Sequence, residues 1–469
     1  MPPRFHIGTR HAGPRVHPVG KLGIVDFRED CASCANCVKR RCVYGLYRDE
    51  ADRLAEERGY LDYVYQCKGC LCCVQNCTKG LLERVENPEY ARLGSGIFTP
   101  ETVLSTWFQA ETGAIPVSGS GYGGPFSGGG FDAMWTDMSE IVRPTRDGIH
   151  GREYINASVD IGRKLDHLDF DGRALRSAAP PLLESPLPVM FDVLPERYLR
   201  GPAVAVVLRA ATELGLFAVV RESDLAETEP AARAHAVRLS SDAGGCPGGS
   251  EHACAPLVVV PEPLAAPAAR AAVRRDTSPI VAVRVPTTAG VTERVLGLAQ
   301  AGTAVINLVF DTNGRELVPE RPRHMRDVIR EVHGALVREG VRDELTLMSS
   351  GGIALAEHVV KAIICGVDLV AIDLPLVVAL ECRLCGECKR DAPCPIAWQR
   401  IDPELGVQRI VNLMAAWHGQ LIEMLGAMGI REVRRLRGET GRAMFFEDLE
   451  RNVFGRLFGK RRADTEVCS

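Results

Sequence analysis

The sequence predicts an α/β protein built on a closed (β/α)8 TIM-type barrel, with a cysteine-rich module before it and a second cysteine cluster with a helical extension after it. Three observations carry this reading: eight short apolar runs alternate with helical stretches between residues 185 and 381, nine cysteines bunch between 31 and 77, and four more lie between 382 and 394. The expected units are 1–100 for the first module, 101–184 for a Gly-rich and Arg-rich linker packing on the barrel, 185–381 for the barrel, and 382–469 for the C-terminal cysteine segment and tail. With 469 residues, 46% of them hydrophobic, the chain is long enough to bury a large core in several domains.

In the first module the thiols read Cys31-x2-Cys34-x2-Cys37-x4-Cys42 and Cys67-x2-Cys70-x2-Cys73-x3-Cys77, with Cys72 as an extra. Three thiolates at this spacing wrap three corners of one cubane from a tight loop, and the fourth, reached through a short helix, ligates the neighbouring cluster. The pattern predicts a two-cluster ferredoxin-like module, with Cys31, Cys34, Cys37 and Cys77 on one 4Fe-4S cluster and Cys67, Cys70, Cys73 and Cys42 on the other. A pair of zinc knuckles is the competing reading, but zinc sites usually draw on two C-x2-C pairs per ion. Neither last cysteine precedes a proline, since Val43 and Thr78 stand there.

The linker holds eight glycines between 112 and 130, including the literal G-x-G-x-x-G of Gly119 to Gly124. No strand precedes it and Pro125 follows it, so the dinucleotide-binding context is missing and a linker is the better reading. The Arg-rich run that follows, Arg143 to Arg152, reads as interdomain ion pairing, with the lining of an anionic site as the alternative.

The barrel strands are expected at 188–194, 216–221, 235–239, 256–260, 279–285, 303–310, 345–348 and 368–372, with helices at 201–214, 263–274, 291–301, 322–339 and 354–364. Eight strands alternating with helices in this length suit a compact barrel better than an open doubly wound sheet. The site would lie at the strands' C-terminal ends. There Ser350, Gly351 and Gly352, between the seventh strand and its helix, are candidates to present backbone N–H groups to a phosphate. A tight turn with no ligand is the plain alternative.

The C-terminal bunch, Cys382, Cys385, Cys388 and Cys394, supplies four thiols for a third 4Fe-4S cluster, with a 3Fe-4S cluster or a zinc ribbon as alternatives. Cys246 and Cys254 stay unassigned.

A net charge of -4 argues against a nucleic-acid partner. No stretch approaches the roughly 20 apolar residues that span a bilayer, and the first residues lack an apolar signal core. The expected location is cytoplasmic, where a thiol-rich chain points to metal or redox chemistry instead of structural disulfides.

In this order the residues resemble the FMN-containing synthase domain of ferredoxin-fused, archaeal-type glutamate synthases. The resemblance rests on the doubled cysteine runs, the Arg143-Pro-Thr-Arg146-Asp segment, Ser350-Gly-Gly-Ile353, the cysteine cluster ending Cys394-Pro395, Arg409-Ile-Val-Asn412 and Leu425-Gly-Ala-Met-Gly429-Ile. It covers nearly the whole chain and implies electrons passing from clusters to FMN and reductive amination of 2-oxoglutarate or a related 2-oxo acid. It implies Ser350, Gly351 and Gly352 at the flavin phosphate and Arg238 and Arg284 as charge-stabilising catalytic candidates near the ring. It also implies a redox partner subunit, with a separate glutaminase or NAD(P)H-oxidising subunit, and an oligomer is compatible with it. The chain departs from the family at Arg221-Glu-Ser-Asp224 in place of Gly-Glu-Gly-Gly, at Asp311-Thr-Asn-Gly314 in place of Gly-Gly-Thr-Gly, and at Asp373 after the eighth strand. The alternative function is therefore a catalytically degenerate electron-transfer or assembly subunit, its barrel without substrate chemistry and without FMN.

Overall fold

The computed structural model describes residues 5–15, 19, 22–23, 72–76, 78, 80, 85–86, 88–115, 130–136, 154–165, 169–175, 180–198, 202–225, 234–239, 257–262, 280–386, 388, 394, 396–397 and 400–458. Eight parallel strands close into a barrel: β1 (Val189–Phe191), β2 (Ala218–Arg221), β3 (Ala236–Leu239), β4 (Leu257–Pro261), β5 (Ile280–Pro286), β6 (Val305–Val309), β7 (Thr346–Ser350) and β8 (Leu369–Ile372). Seven of them match the predicted runs within two residues at either end, and β1 stops three residues short of its run, before Asp192 and the residues after it. Each strand pairs with its successor in sequence, and β8 returns to β1 through Val370↔Val189 and Ile372↔Phe191. Valine, isoleucine and leucine dominate because helices cover the outside and side chains fill the lumen, so both faces of each strand are dry.

The helices begin and end where the local chemistry stops them. Helix α1 (Pro100–Thr112) starts on Thr99, whose hydroxyl accepts from Thr102 N–H, and ends at Gly113 in the left-handed region. Helix α2 (Ala203–Leu214) ends on Gly215 in the same way, and α3 (Val291–Gln300), α4 (Met325–Arg338) and α5 (Ala356–Cys365) follow β5, β6 and β7. After β8 come a short α6 (Leu374–Ala379) and the long α7 (Pro403–Ala427), which Asp402 caps through Glu404 N–H. The expected helix at 263–274 lies outside the described residues.

The stretch expected as a linker contributes more than a connection. Besides α1 it supplies the strand Val159–Gly162, paired antiparallel with Leu182–Ser185. Gly162 N–H reaches the hydroxyl of Thr346, the first residue of β7, which places this hairpin at the barrel's N-terminal end. The same end carries a buried charge cluster: Asp368 accepts from Arg342 at 2.8 Å, from Arg437 at 2.9 Å and from Leu347 N–H at 2.8 Å. With its lone pairs occupied, Asp368 holds its proton affinity below the usual carboxylate value despite burial, and Arg437 ties the C-terminal extension to the barrel floor. The catalytic end is left open to the other segments.

Helix α7 fastens the start of the chain. Arg409, 2% exposed, donates to the carbonyls of Ala379 and Ala12, and the Asn412 amide donates to those of Arg10, Ala110 and Glu111. Among the described residues no helix is long and apolar enough to cross a membrane.

Candidate functional site

The C-terminal mouth of the barrel is spanned by an ion pair. Strands β1 and β5 stand opposite one another in the ring of eight. Arg284, on β5, reaches across to Asp192, the residue after β1, with guanidinium nitrogens 2.5 and 3.1 Å from the two carboxylate oxygens. Both groups are largely withdrawn from water. Burial works against the guanidinium charge, but Asp192 outweighs it, and the pKa of Arg284 rises. Arg284 is therefore a fixed cation, unable to exchange a proton at neutral pH.

Beside this pair sits Asp373, at the end of β8. Its Oδ1 accepts from Leu374 N–H at 2.6 Å and so caps α6. Burial, and next the negative charge of Asp192, push its pKa up to about 6.

The lumen face also carries polar atoms with nothing to bond. Arg284 stands in register with Asn307, and Asn307 with Met348. Side chains in register share a face and recur every second residue, so Asn307 and Ser350 share the lumen face with Arg284. Asn307 Oδ1 and Ser350 Oγ are buried without a hydrogen-bond partner among the described residues, as is Ser349 Oγ on the other face. Orphaned buried polar atoms are costly, which makes them a fit for a polar ligand in the mouth.

Gly351 and Gly352 adopt left-handed φ values of 86° and 71°. A Cβ on Gly351 would stand 2.5 Å from the Asp311 carbonyl oxygen, and one on Gly352 would stand 2.2 Å from Gly314 Cα. Glycine is thus demanded here by close packing on the 311–314 turn, whatever else the loop does. His358 steadies the same loop: its Nδ1 accepts from Ala354 N–H at 3.2 Å, and burial lowers its pKa to about 3, keeping the ring neutral. Arg238 lies on β3, in register with Val220 and Val258.

The C-terminal cysteines occupy the loop between α6 and α7. Left-handed backbone at Glu381, Leu384 and Gly386 folds this loop back on itself. Cys382 is 5% exposed, whereas Cys385, Cys388 and Cys394 are half-buried. Leu384 N–H points at Cys382 Sγ at 3.5 Å. Burial chiefly pushes the Cys382 thiol up to about 12, and Cys388, Cys394 and Cys385 add to the rise, so all four sulfurs share one electrostatic neighbourhood. Among the described residues no group of three or more His, Cys, Asp or Glu side chains closes on a single metal ion.

Tyr198 links the two halves of the site. It closes the short 3-10 turn Glu196–Tyr198, six residues beyond Asp192, and is 4% exposed. The Arg197 guanidinium stacks on its ring at 4.7 Å from the centroid. Burial, and then the neighbouring Cys382, raise the pKa of its hydroxyl.

Of the eight N-terminal ligand candidates, Cys31, Cys34, Cys37, Cys42, Cys67, Cys70 and Cys77 lie outside the described residues, and Cys73 falls in the short helix Cys72–Gln75. The Gly119 to Gly124 run, the Arg143 to Arg152 run, Cys246 and Cys254 lie outside them too. Sequence reasoning did not find Asp192, Asn307 or Tyr198. Asp192 had a usable signal, a carboxylate interrupting the first apolar run in its C-terminal half. Tyr198 had none, because its role depends on a loop some 190 residues away in the chain.

Comparison with known proteins adds to this geometry. The family described as the conserved region in glutamate synthase matches residues 325–431, from α4 through the cysteine loop to the end of α7. The archaeal glutamate synthase (NADPH) of Archaeoglobus fulgidus is 26% identical, over 92% of this chain and 96% of that one. The archaeal-type glutamate synthase (NADPH) of Thermotoga maritima is also 26% identical, over 91% and 95%. Among solved structures, a mandelate oxidase covers 65% of this chain at 15% identity with a TM-score of 0.37, a likeness that does not bear on function.

Proposed function

We propose that this chain is a divergent member of the glutamate synthase family, an oxidoreductase that carries electrons through thiolate-held iron-sulfur clusters to FMN at the barrel mouth. The reaction served is reductive amination: a 2-oxo acid, 2-oxoglutarate or a relative, takes up ammonium, two electrons and two protons and yields the amino acid and water. The observation that carries the proposal is that one short segment, Asp192 to Tyr198, begins at the Asp192–Arg284 bridge of the mouth and ends at Tyr198, whose buried hydroxyl feels Cys382 and Cys388 of the cysteine loop.

The clusters are assigned to Cys31, Cys34, Cys37 and Cys77, to Cys67, Cys70, Cys73 and Cys42, and to Cys382, Cys385, Cys388 and Cys394. Ser350, Gly351 and Gly352 would hold the flavin phosphate, and Asn307 and Ser350 bring the unpaired polar atoms that a ligand satisfies. Flavin supplies the passage from single electrons to a hydride equivalent. The chain's residues do the rest. Arg284, kept charged by Asp192, is the cation that the mouth offers to the carboxylate of a 2-oxo acid. Asp373 is the group there that gains and loses a proton near neutral pH. A redox partner subunit, or a separate NAD(P)H-oxidising subunit, feeds the clusters, and a separate glutaminase subunit or free ammonium supplies nitrogen.

One observation favours the alternative of an electron relay without substrate chemistry: Asp192 and Asp373 together outnumber Arg284 at the mouth, a poor setting for a phosphate dianion. Acid precipitation of the purified protein decides between them. About one flavin released per chain with about twelve irons and matching acid-labile sulfide fits the enzyme, twelve irons without flavin fits the relay, and zinc in place of iron overturns both.

A further inference from the structure

We infer that His358, braced by the ring of Phe131, is a positioning residue that sets the loop from Ser350 to Ala354 in the shape that receives a phosphate. The inference rests on the flavin-phosphate reading proposed above and adds the residues behind the loop that give it its aim.

The loop cannot rely on charge. Asp192 and Asp373 oppose a phosphate at the mouth, so attraction has to come from N–H and O–H groups pointed at one place. Ser350 brings such a group, a buried hydroxyl with no partner among the described residues. The backbone after it is loose by composition. Two successive glycines, 351 and 352, occupy the left-handed region there, and glycine leaves a chain its widest choice of conformations. A loop of that make-up holds an aim only under restraint from outside.

His358, in the first turn of α5, supplies the restraint. Its Nδ1 accepts from Ala354 N–H at 3.2 Å, which fixes the far end of the loop. In a neutral ring an accepting Nδ1 leaves the proton on Nε2. The ring also lies against the Gly352 carbonyl. A trans peptide sets its C=O and its N–H on opposite sides, so a Gly352 carbonyl turned to the imidazole turns the Ile353 N–H away from it. One ring thus governs two peptide groups of the loop.

That ring has little freedom of its own. Phe131 lies across it, with centroids 5.3 Å apart and planes tilted by 35°, and presses edge-on against His324 at 4.9 Å. Phe131 belongs to the 3-10 turn Gly130–Ala133, which comes from before the barrel and is bonded to two of its helices. Arg326 of α4 donates to the Gly130 carbonyl at 3.2 Å, and Lys361 Nζ of α5 donates to the Phe131 carbonyl at 2.8 Å. Lys361 is itself buried and paired with Glu357 at 3.0 Å. At Gly130 φ is +68°, and a Cβ would stand 2.4 Å from the His324 ring, so the turn fits with no room to shift. A helix pair that needed only a cover would take any apolar side chain. Here a buried ion pair and two ring contacts hold one imidazole at one angle.

The test titrates the full-length chain, freed of bound flavin, with FMN and separately with riboflavin, which lacks the phosphate. Flavin fluorescence reads each affinity, and thermal unfolding is followed on every sample. We expect the wild type to prefer FMN, and His358→Leu, which fills the space without an acceptor, to narrow that preference about tenfold while riboflavin affinity stays within about a factor of two. His358→Asn sets an oxygen near the place of Nδ1 and keeps the preference, even where it lowers the unfolding temperature. A His358→Leu chain with the full preference overturns the inference, and so does a His358→Asn chain that loses it as completely as leucine. Should His358→Leu fail to fold, His358→Gln, whose amide reaches past Ala354 N–H, is read in its place, with the loss expected and a retained preference overturning the role. A wild type that binds FMN no more tightly than riboflavin removes the phosphate reading itself, a result distinct from an intact preference that ignores His358.

Discussion

Replacing Asp373 by asparagine tests the electrostatics of the barrel mouth. In the folded chain its pKa is raised from 3.8 to about 6, by burial first and by Asp192 second. A carboxyl whose folded pKa lies above its unfolded value supports the fold below the unfolded pKa, and that support is lost as pH rises through the folded pKa. At pH 8 the full difference, about 2.2 pKa units, counts against the native state and costs about 3 kcal/mol. At pH 5 the penalty has fallen to about 1.5 kcal/mol, and below pH 4 it approaches zero. Asparagine carries no charge, yet its side-chain oxygen still accepts from Leu374 N–H, so the cap on α6 survives. Asp373→Asn is therefore expected to stabilise the chain by up to about 3 kcal/mol at pH 8, with the gain shrinking steadily as pH falls. Urea unfolding followed by far-ultraviolet circular dichroism between pH 4 and 8 measures it. A variant no more stable than the wild type at pH 8, or a gain that does not depend on pH, refutes the reasoning.

Other perturbations probe the same frame. Asp192→Ala strands the Arg284 guanidinium in the mouth and should cost about 3–5 kcal/mol, most of it recovered in the Asp192→Ala/Arg284→Met double variant; denaturation midpoints of the two report it, and a neutral single variant contradicts the bridge. His324 caps α4 as a neutral acceptor for Arg326 N–H, and burial lowers its pKa to about 3. A depressed histidine pKa supports the fold above the unfolded value of 6.5 and withdraws that support as pH falls. His324→Asn should therefore remove about 2 kcal/mol of the destabilisation between pH 8 and pH 5, seen as a flatter profile of unfolding midpoint against pH. Gly352→Ala, with its Cβ driven onto Gly314, should cost about 3 kcal/mol in thermal unfolding, and a silent substitution would show that the loop is not packed as described.

The barrel was legible because parallel strands covered on both faces must be continuous apolar runs, and eight of them alternating with helices leave few other closures. The C-terminal cysteine segment stood out because four thiols fall within thirteen residues directly after the last strand and its short helix. The mouth did not. Arg284 stood out as a charge in a strand, but its partner is 92 residues away on the opposite strand, and only barrel closure brings Asp192 to it. Glycines 351 and 352 read as a ligand cradle in sequence, whereas in three dimensions their bare α-carbons are also what lets the 311–314 turn pass. A sequence shows that glycine is needed, not which neighbour needs it. Arg15 and Glu381 are ordinary charged residues until the fold sets them 2.7 Å apart.

The grip of Arg409 and Asn412 on the carbonyls of residues 10 to 12 sets an order of events at the ribosome. Nearly 400 residues separate those partners, so at ordinary elongation rates the anchor arrives about 20–80 s after its strap has emerged. Throughout that interval residues 10 to 12 have emerged without the helix that later holds them. The strap is thus free until α7 has been made, and the finished helix then closes the first residues of the chain against one of the last elements to appear.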